Sequence, residues 1–194
     1  MKKILIIFLV PQLIFAELVL EITQGSDDPF VIALLDFDGQ DEITNQINTI
    51  VNNDLNRTGE FKIIKKDKLL SSPKSEEEIN FNDFKLLNID YIVIGSLESE
   101  NEFNLSASYQ IFSVLSKKKI RTSKVLGIPN KIKQLAHYIS DGIYEEITGL
   151  QGVASTKILY VSELKENNES LYQLIVADAD GVNEQILLKS FEPI

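Results

Sequence analysis

The sequence predicts an α/β (α+β) fold: a mixed sheet packed with two main helices, followed by a short unit built of strands alone. Three observations carry this. Phe30 to Phe37 and Tyr91 to Leu97 are nearly continuous apolar, β-rich runs, the pattern of strands covered on both faces. Two longer stretches, Asp41 to Arg57 and about Lys131 to Thr148, carry apolar residues at helical spacing. Beyond Gly152 only short strand-like segments remain.

The elements follow in order. Lys2 and Lys3 precede an unbroken apolar run, Ile4 to Val10, that continues past Pro11 and Gln12 to Ala16. It is shorter than the roughly 20 residues a spanning helix needs. It fits a secretory signal peptide cleaved after Ala16, although Ile14 stands where a small residue is usual; the competing reading is a buried first strand or an uncleaved anchor. Residues 1–16 are therefore set apart from the fold, and no membrane insertion is expected once they are removed. Glu17 to Thr23 alternates polar and apolar residues, as a half-buried strand does. As the mature N-terminus it would be an edge, able to pair with another chain.

After the Phe30 strand, Ile43, Ile47, Ile50, Val51 and Leu55 form one stripe on a helix that Asp41 can cap and Gly59 can end. Phe61 to Lys65 reads as a short strand. Leu69 to Asn80 is an acidic loop leading to a short helix that ends near Leu87. Tyr91 to Leu97 is a buried strand. Phe103 to Val114 and Lys119 to Leu126 form a hairpin with its turn near Ser116 to Lys118. The second long helix presents Ile132, Leu135, Ala136, Ile139, Ile143 and Ile147 on one face, and Gly149 is its natural stop. Lys157 to Val161, Tyr172 to Val176 and Gln185 to Lys189 then read as three antiparallel strands. Asn167, Asn168, Asp180 and Gly181 supply the turns, and the group looks like most of a four-stranded unit.

The chain has 194 residues and a formal net charge of −10. A compact domain of this length buries roughly 70% of its unfolded surface and needs no staple or metal to fold. The acidic balance argues against nucleic-acid binding, which needs clustered Lys and Arg. The one basic run, Lys117 to Lys119, reads as a solvated hairpin edge. There is no cysteine, so no disulfide, thiol nucleophile or cysteine metal site exists, which suits a bacterial periplasm.

Candidate chemistry is sparse. His137 is the single histidine. It lies four residues from Asp141 on one helix face, a spacing that allows a pair worth about 0.2–0.5 kcal/mol. Ser140 falls on a different face, with no base aimed at it. Asp36, Asp38 and Gly39 spell D-x-D-G, as do Asp178, Asp180 and Gly181. A calcium loop needs more oxygen ligands, and strand-ending turns explain both. Glu76 to Glu78 reads as a solvated loop, with a basic partner as the alternative. No phosphate-binding glycine loop is present. No cofactor, no metal and no catalytic residue are expected, and the chain reads as a non-enzyme.

Five segments resemble the TolB family of the Tol-Pal system: ELVLEITQGSDDPFVIALLDF, DLNRTGEFKII, LNIDYIVIG (with Asn88 where glycine is usual), AHYISDGIYEEITGLQGVASTKILYV and YQLIVADADGVNEQILLKS. Their order and spacing cover essentially residues 17–190. The resemblance implies residues 17–150 as the family's N-terminal α/β domain and 151–194 as an incomplete first blade of a six-bladed β-propeller. The blades that would follow are not in this sequence, so the chain resembles a truncated member. The exposed apolar edge of the partial blade would bring aggregation, or disorder after about Gly152.

The resemblance also implies function. The family links a Pal lipoprotein of the outer membrane to the inner-membrane protein TolA, and supports envelope integrity and outer-membrane invagination at cell division. Its mature N-terminus engages TolA, which carries over here to Glu17, Leu18, Val19, Leu20, Glu21, Ile22 and Thr23, with Gln24 and Gly25. A Pal-like lipoprotein docks on the propeller and would bind only where that is present. The alternatives are an exported hydrolase using His137 and a nearby carboxylate, or a small-ligand-binding α/β domain.

Overall fold

A computed structural model of the chain describes residues 28–194 except 40, 102, 167 and 168. The expected leader, residues 1–16, and the segment Glu17 to Gly25 expected to bind a partner lie outside the described residues. So do Asn167 and Asn168, which the sequence places in a turn.

The element order is β1 (Phe30–Leu34), α1 (Asp41–Arg57), β2 (Phe61–Ile63), α2 (Phe81–Leu86), β3 (Tyr91–Asn101), β4 (Asn104–Ser113), β5 (Lys118–Gly127), α3 (Ile132–Thr148), β6 (Lys157–Glu166), β7 (Glu169–Asp178) and β8 (Gln185–Ser190). The first five strands form a sheet in the order β2-β1-β3-β4-β5. β1 pairs in parallel with β2 and β3, and β3-β4-β5 is an antiparallel meander. Parallel neighbours need crossovers. α1 supplies one, and two single turns of 3₁₀ helix with α2 supply the other.

Both faces of this sheet are covered, as the apolar runs require. On one face Ile32, Val93, Ala107 and Ile111 meet Ile47, Val51 and Leu55 of α1 and Leu135, Ile139 and Ile143 of α3. On the other, Ala33, Ile92, Ile94 and Phe112 meet Phe84, Ile89 and the loop before α2. The alternation Ile92, Val93, Ile94 sends neighbouring side chains to opposite cores, which is why the run shows no polar interruptions. β5 is the edge strand and largely exposed; Lys118 and Lys119 begin it, and Lys119 reaches Glu76 at 2.7 Å.

Helix α3 stops where Gly149 takes φ 74°, the left-handed turn in which its amide caps the Glu145 carbonyl at 2.9 Å. Asn88 also adopts a left-handed φ of 54° after α2, so it fills the conformational role of a glycine there. Two strands are shorter than the sequence suggested. β1 ends at Leu34, although the Leu35 and Asp38 amides still bond the Val93 and Gly95 carbonyls at 3.0 and 2.9 Å; Phe37 turns inward over Gly95, where an added Cβ would sit 2.2 Å from its ring. β2 ends at Ile63, although the Ile64 amide still bonds the Ile32 carbonyl at 2.9 Å. β3 and β6 are longer, because each antiparallel partner extends their pairing to the hairpin.

Residues 157–190 form a separate antiparallel sheet, β6-β7-β8, consistent with part of a propeller blade. The disorder expected beyond Gly152 is not what these residues adopt. Only Ile175 and Ala177 of its aliphatic side chains are buried, while Leu159, Leu164, Ile186 and Leu188 are about half exposed on its two faces.

Candidate functional site

The densest buried polar chemistry lies where α1, α3 and the start of the second sheet meet. Its centre is Asp54, on the apolar stripe of α1 one turn beyond Val51 and only 3% exposed. A buried carboxylate is tolerated only when its oxygens are satisfied. Here Oδ2 lies 2.7 Å from His137 Nδ1 and accepts the Ser140 hydroxyl at 2.9 Å, both from α3. Oδ1 accepts the Arg57 guanidinium at 3.1 Å. The cluster therefore ties the two long helices together over a separation of 83 residues.

This corrects the expected pairing of His137 with Asp141. The His137 ring turns to α1, and Asp141 turns the other way. Its two oxygens accept the backbone amides of Ala154 and Ser155, at 2.6 and 3.0 Å. Gly152 lets the linker come close enough, since a Cβ there would lie 2.5 Å from the Asp141 Cα. Asp141 thus fixes how the chain leaves the first domain. Ser140 is corrected as well: a carboxylate is aimed at it, but its single hydroxyl proton is shared between Asp54 and the Ala136 carbonyl at 3.0 Å.

The imidazole has a second face. His137 Nε2 points toward Asp180 Oδ2 in the β7–β8 turn, 3.9 Å away. The hydrogen bond to Asp54 raises the imidazole pKa above its ordinary 6.5. The charges of Asp54 and Asp180 act in the same direction, against burial and Arg57. A cleft of about 590 Å³ opens beside the ring, lined by Gln46, Ser155, Thr156, Lys157, Asp178 and Asn183 among others.

Neither ring nitrogen faces Ser140, so His137 cannot take its proton as a general base. Three of the four aspartates of the two D-x-D-G turns are paired with lysines. Asp36 pairs with Lys66, Asp38 with Lys74 at 2.9 Å, and Asp178 with Lys157 at 2.6 Å. Among the described residues no group of three or more His, Asp or Glu is placed to hold a metal ion, and no helix is long and apolar enough to cross a membrane. Asp54 is the residue that sequence reasoning missed. Its signal was a carboxylate on an otherwise apolar stripe, seven residues after Ile47.

Known proteins resemble the chain both in sequence and in structure. Residues 18–120 match the model of the TolB amino-terminal domain. The Tol-Pal system protein TolB of Alcanivorax borkumensis is 37% identical, over 92% of this chain and 41% of that protein. Its counterpart in Hydrogenovibrio crunogenus is 34% identical, over 100% of this chain and 47% of that one. The crystal structure of TolB from Acinetobacter baumannii superposes with a TM-score of 0.75 at 28% identity, over 89% of this chain and 42% of that one. The chain thus spans less than half the length of the relatives it matches.

Proposed function

The chain belongs to the TolB family, and on that premise we propose that it is a periplasmic, non-enzymatic interaction protein of a Tol-Pal system. Residues 1–16 direct export and are removed. Residues 17–150 are the amino-terminal domain, and 151–194 are the start of a propeller. The mature strand from Glu17 to Thr23, with Gln24 and Gly25, binds a TolA-like inner-membrane protein. Through that link the protein supports outer-membrane invagination at division and envelope integrity. A Pal-like lipoprotein binds only where a complete propeller follows.

The observation that carries this reading is the family match over residues 18–120, which begins inside the proposed strand. Period-two alternation suits pairing with a partner's sheet edge, where backbone bonds supply affinity and alternate side chains supply register. The absence of a chemical task fits the junction: its histidine and serine both hold one structural carboxylate. Among the described residues no activated nucleophile supports the hydrolase alternative.

The test is a pull-down with the TolA-like protein. Deleting residues 17–24 abolishes capture while circular dichroism shows the α/β domain folded. Capture at the wild-type level would overturn the strand assignment. Envelope fractionation checks the location, and recovery in the cytosolic fraction would contradict it.

A further inference from the structure

His137 presents its two ring nitrogens to carboxylates from two different layers. Nδ1 meets Asp54 of α1 at 2.7 Å, and Nε2 faces Asp180 of the second sheet at 3.9 Å. The residue is 5% exposed, yet Nε2 has no hydrogen-bond partner. At 3.9 Å the Asp180 contact is too long for a hydrogen bond and is an ion pair only when the ring is charged. Packing alone leaves this nitrogen unexplained.

We propose that His137 is a proton-operated latch that holds the second sheet against the helical layer when the imidazole is charged and loosens it when the imidazole is neutral. The charged groups around the ring support this. From α1, Arg57 already pairs with Asp54 at 3.1 Å. From β6, Lys157 pairs with Asp178 at 2.6 Å. On α3 itself, Asp141 is committed to the Ala154 and Ser155 amides, and Lys133 lines the adjoining cleft with Lys131. Asp180 accepts the Val182 amide within its own turn and receives the imidazolium as its cation across the junction.

The two arms respond differently to the proton. A neutral ring keeps its Nδ1–H on Asp54, so the tie between α1 and α3 survives. Its Nε2 then turns a lone pair toward the Asp180 carboxylate, and attraction becomes repulsion. The folded-state pKa lies above 6.5. The latch is therefore closed below about 6.5 and opens as pH rises through the raised value. None of this depends on the Tol-Pal reading.

Because His137 is the only histidine, its ring resonance is unambiguous in proton NMR. The experiment follows that resonance and the amide exchange of residues 178–183, corrected for intrinsic rates, from pH 5 to pH 8.5. It compares wild type with Asp180→Asn and His137→Gln. Asp180→Asn is expected to lower the His137 midpoint. In wild type, protection of 178–183 falls about fivefold as pH rises through the midpoint, the factor given by a water-screened charge pair near 4 Å. In both variants protection is flat with pH. An unchanged midpoint in Asp180→Asn, or the same loss of protection in the variants, overturns the latch. Asp180 lies partly exposed in a turn, so its variant decides the matter even where His137→Gln fails to fold.

Discussion

Replacing Asp54 by alanine is the most informative single perturbation of the junction. The change deletes both carboxylate oxygens from a site that is 3% exposed. His137 Nδ1 loses its partner in the interior, which costs about 1–3 kcal/mol, while Ser140 Oγ keeps the Ala136 carbonyl and loses about 0.5–1.5 kcal/mol. Arg57 is 44% exposed, so water replaces most of its contact, which contributes under about 1 kcal/mol. Together these reach about 2–5 kcal/mol, and the roughly 3–5 kcal/mol typical of breaking a buried charged pair sets the expected loss. Asp54→Asn keeps one acceptor oxygen and nearly the same volume, so it costs less than the alanine. Urea unfolding followed by far-UV circular dichroism measures the difference. With a slope of about 2 kcal/mol per molar, the alanine variant's midpoint falls by roughly 1.5–2.5 M. Combined with His137→Ala, the losses are less than additive, because both remove the same contact. A midpoint shift below about 0.5 M, or strict additivity, refutes the claim that this carboxylate organises the two helices.

Further predictions separate packing from backbone strain and from charge. Gly95→Ala forces a methyl to within 2.2 Å of the Phe37 ring. It lowers thermal stability by about 1–3 kcal/mol, and Phe37→Leu partly restores it. Gly149→Ala meets nothing within 4 Å but must keep φ near 74°. Its cost is about 1–2 kcal/mol, purely conformational, and Gly149→Asn recovers part of it. His137 has a raised pKa, so its stabilisation is fully present below 6.5 and is lost as pH rises through the folded value. The stability difference between wild type and His137→Gln, measured by chemical denaturation, is therefore largest near pH 5.5 and shrinks above neutrality. A difference that grows with pH reverses the assigned sign.

Much of the architecture was legible in local sequence, for physical reasons. The α1 bounds, Asp41 to Arg57, follow directly from its apolar stripe and from Gly59 just past its end. The Gly149 stop of α3 was equally visible, because a left-handed cap favours glycine. Strand ends were less so: how far β3 and β6 run depends on partners that local patterning does not specify. The junction was misread because its partners are distant in sequence. His137 and Asp141 have the spacing of a helix pair, but the buried acid on α1 competes more strongly for the ring, and two amides of the linker compete for Asp141. Asp180, 43 residues after His137, is brought to it only by the path of the second sheet, which no helical or strand period encodes.

On the proposed function, this chain reaches a TolA-like protein through residues Glu17 to Thr23. Isothermal titration of that partner into wild type and into Leu20→Pro tests it most directly, because proline removes a backbone donor while leaving the domain after Pro29 untouched. The binding heat is expected to disappear in Leu20→Pro while the thermal melting of the α/β domain is unchanged. Binding with wild-type affinity in that variant would contradict it.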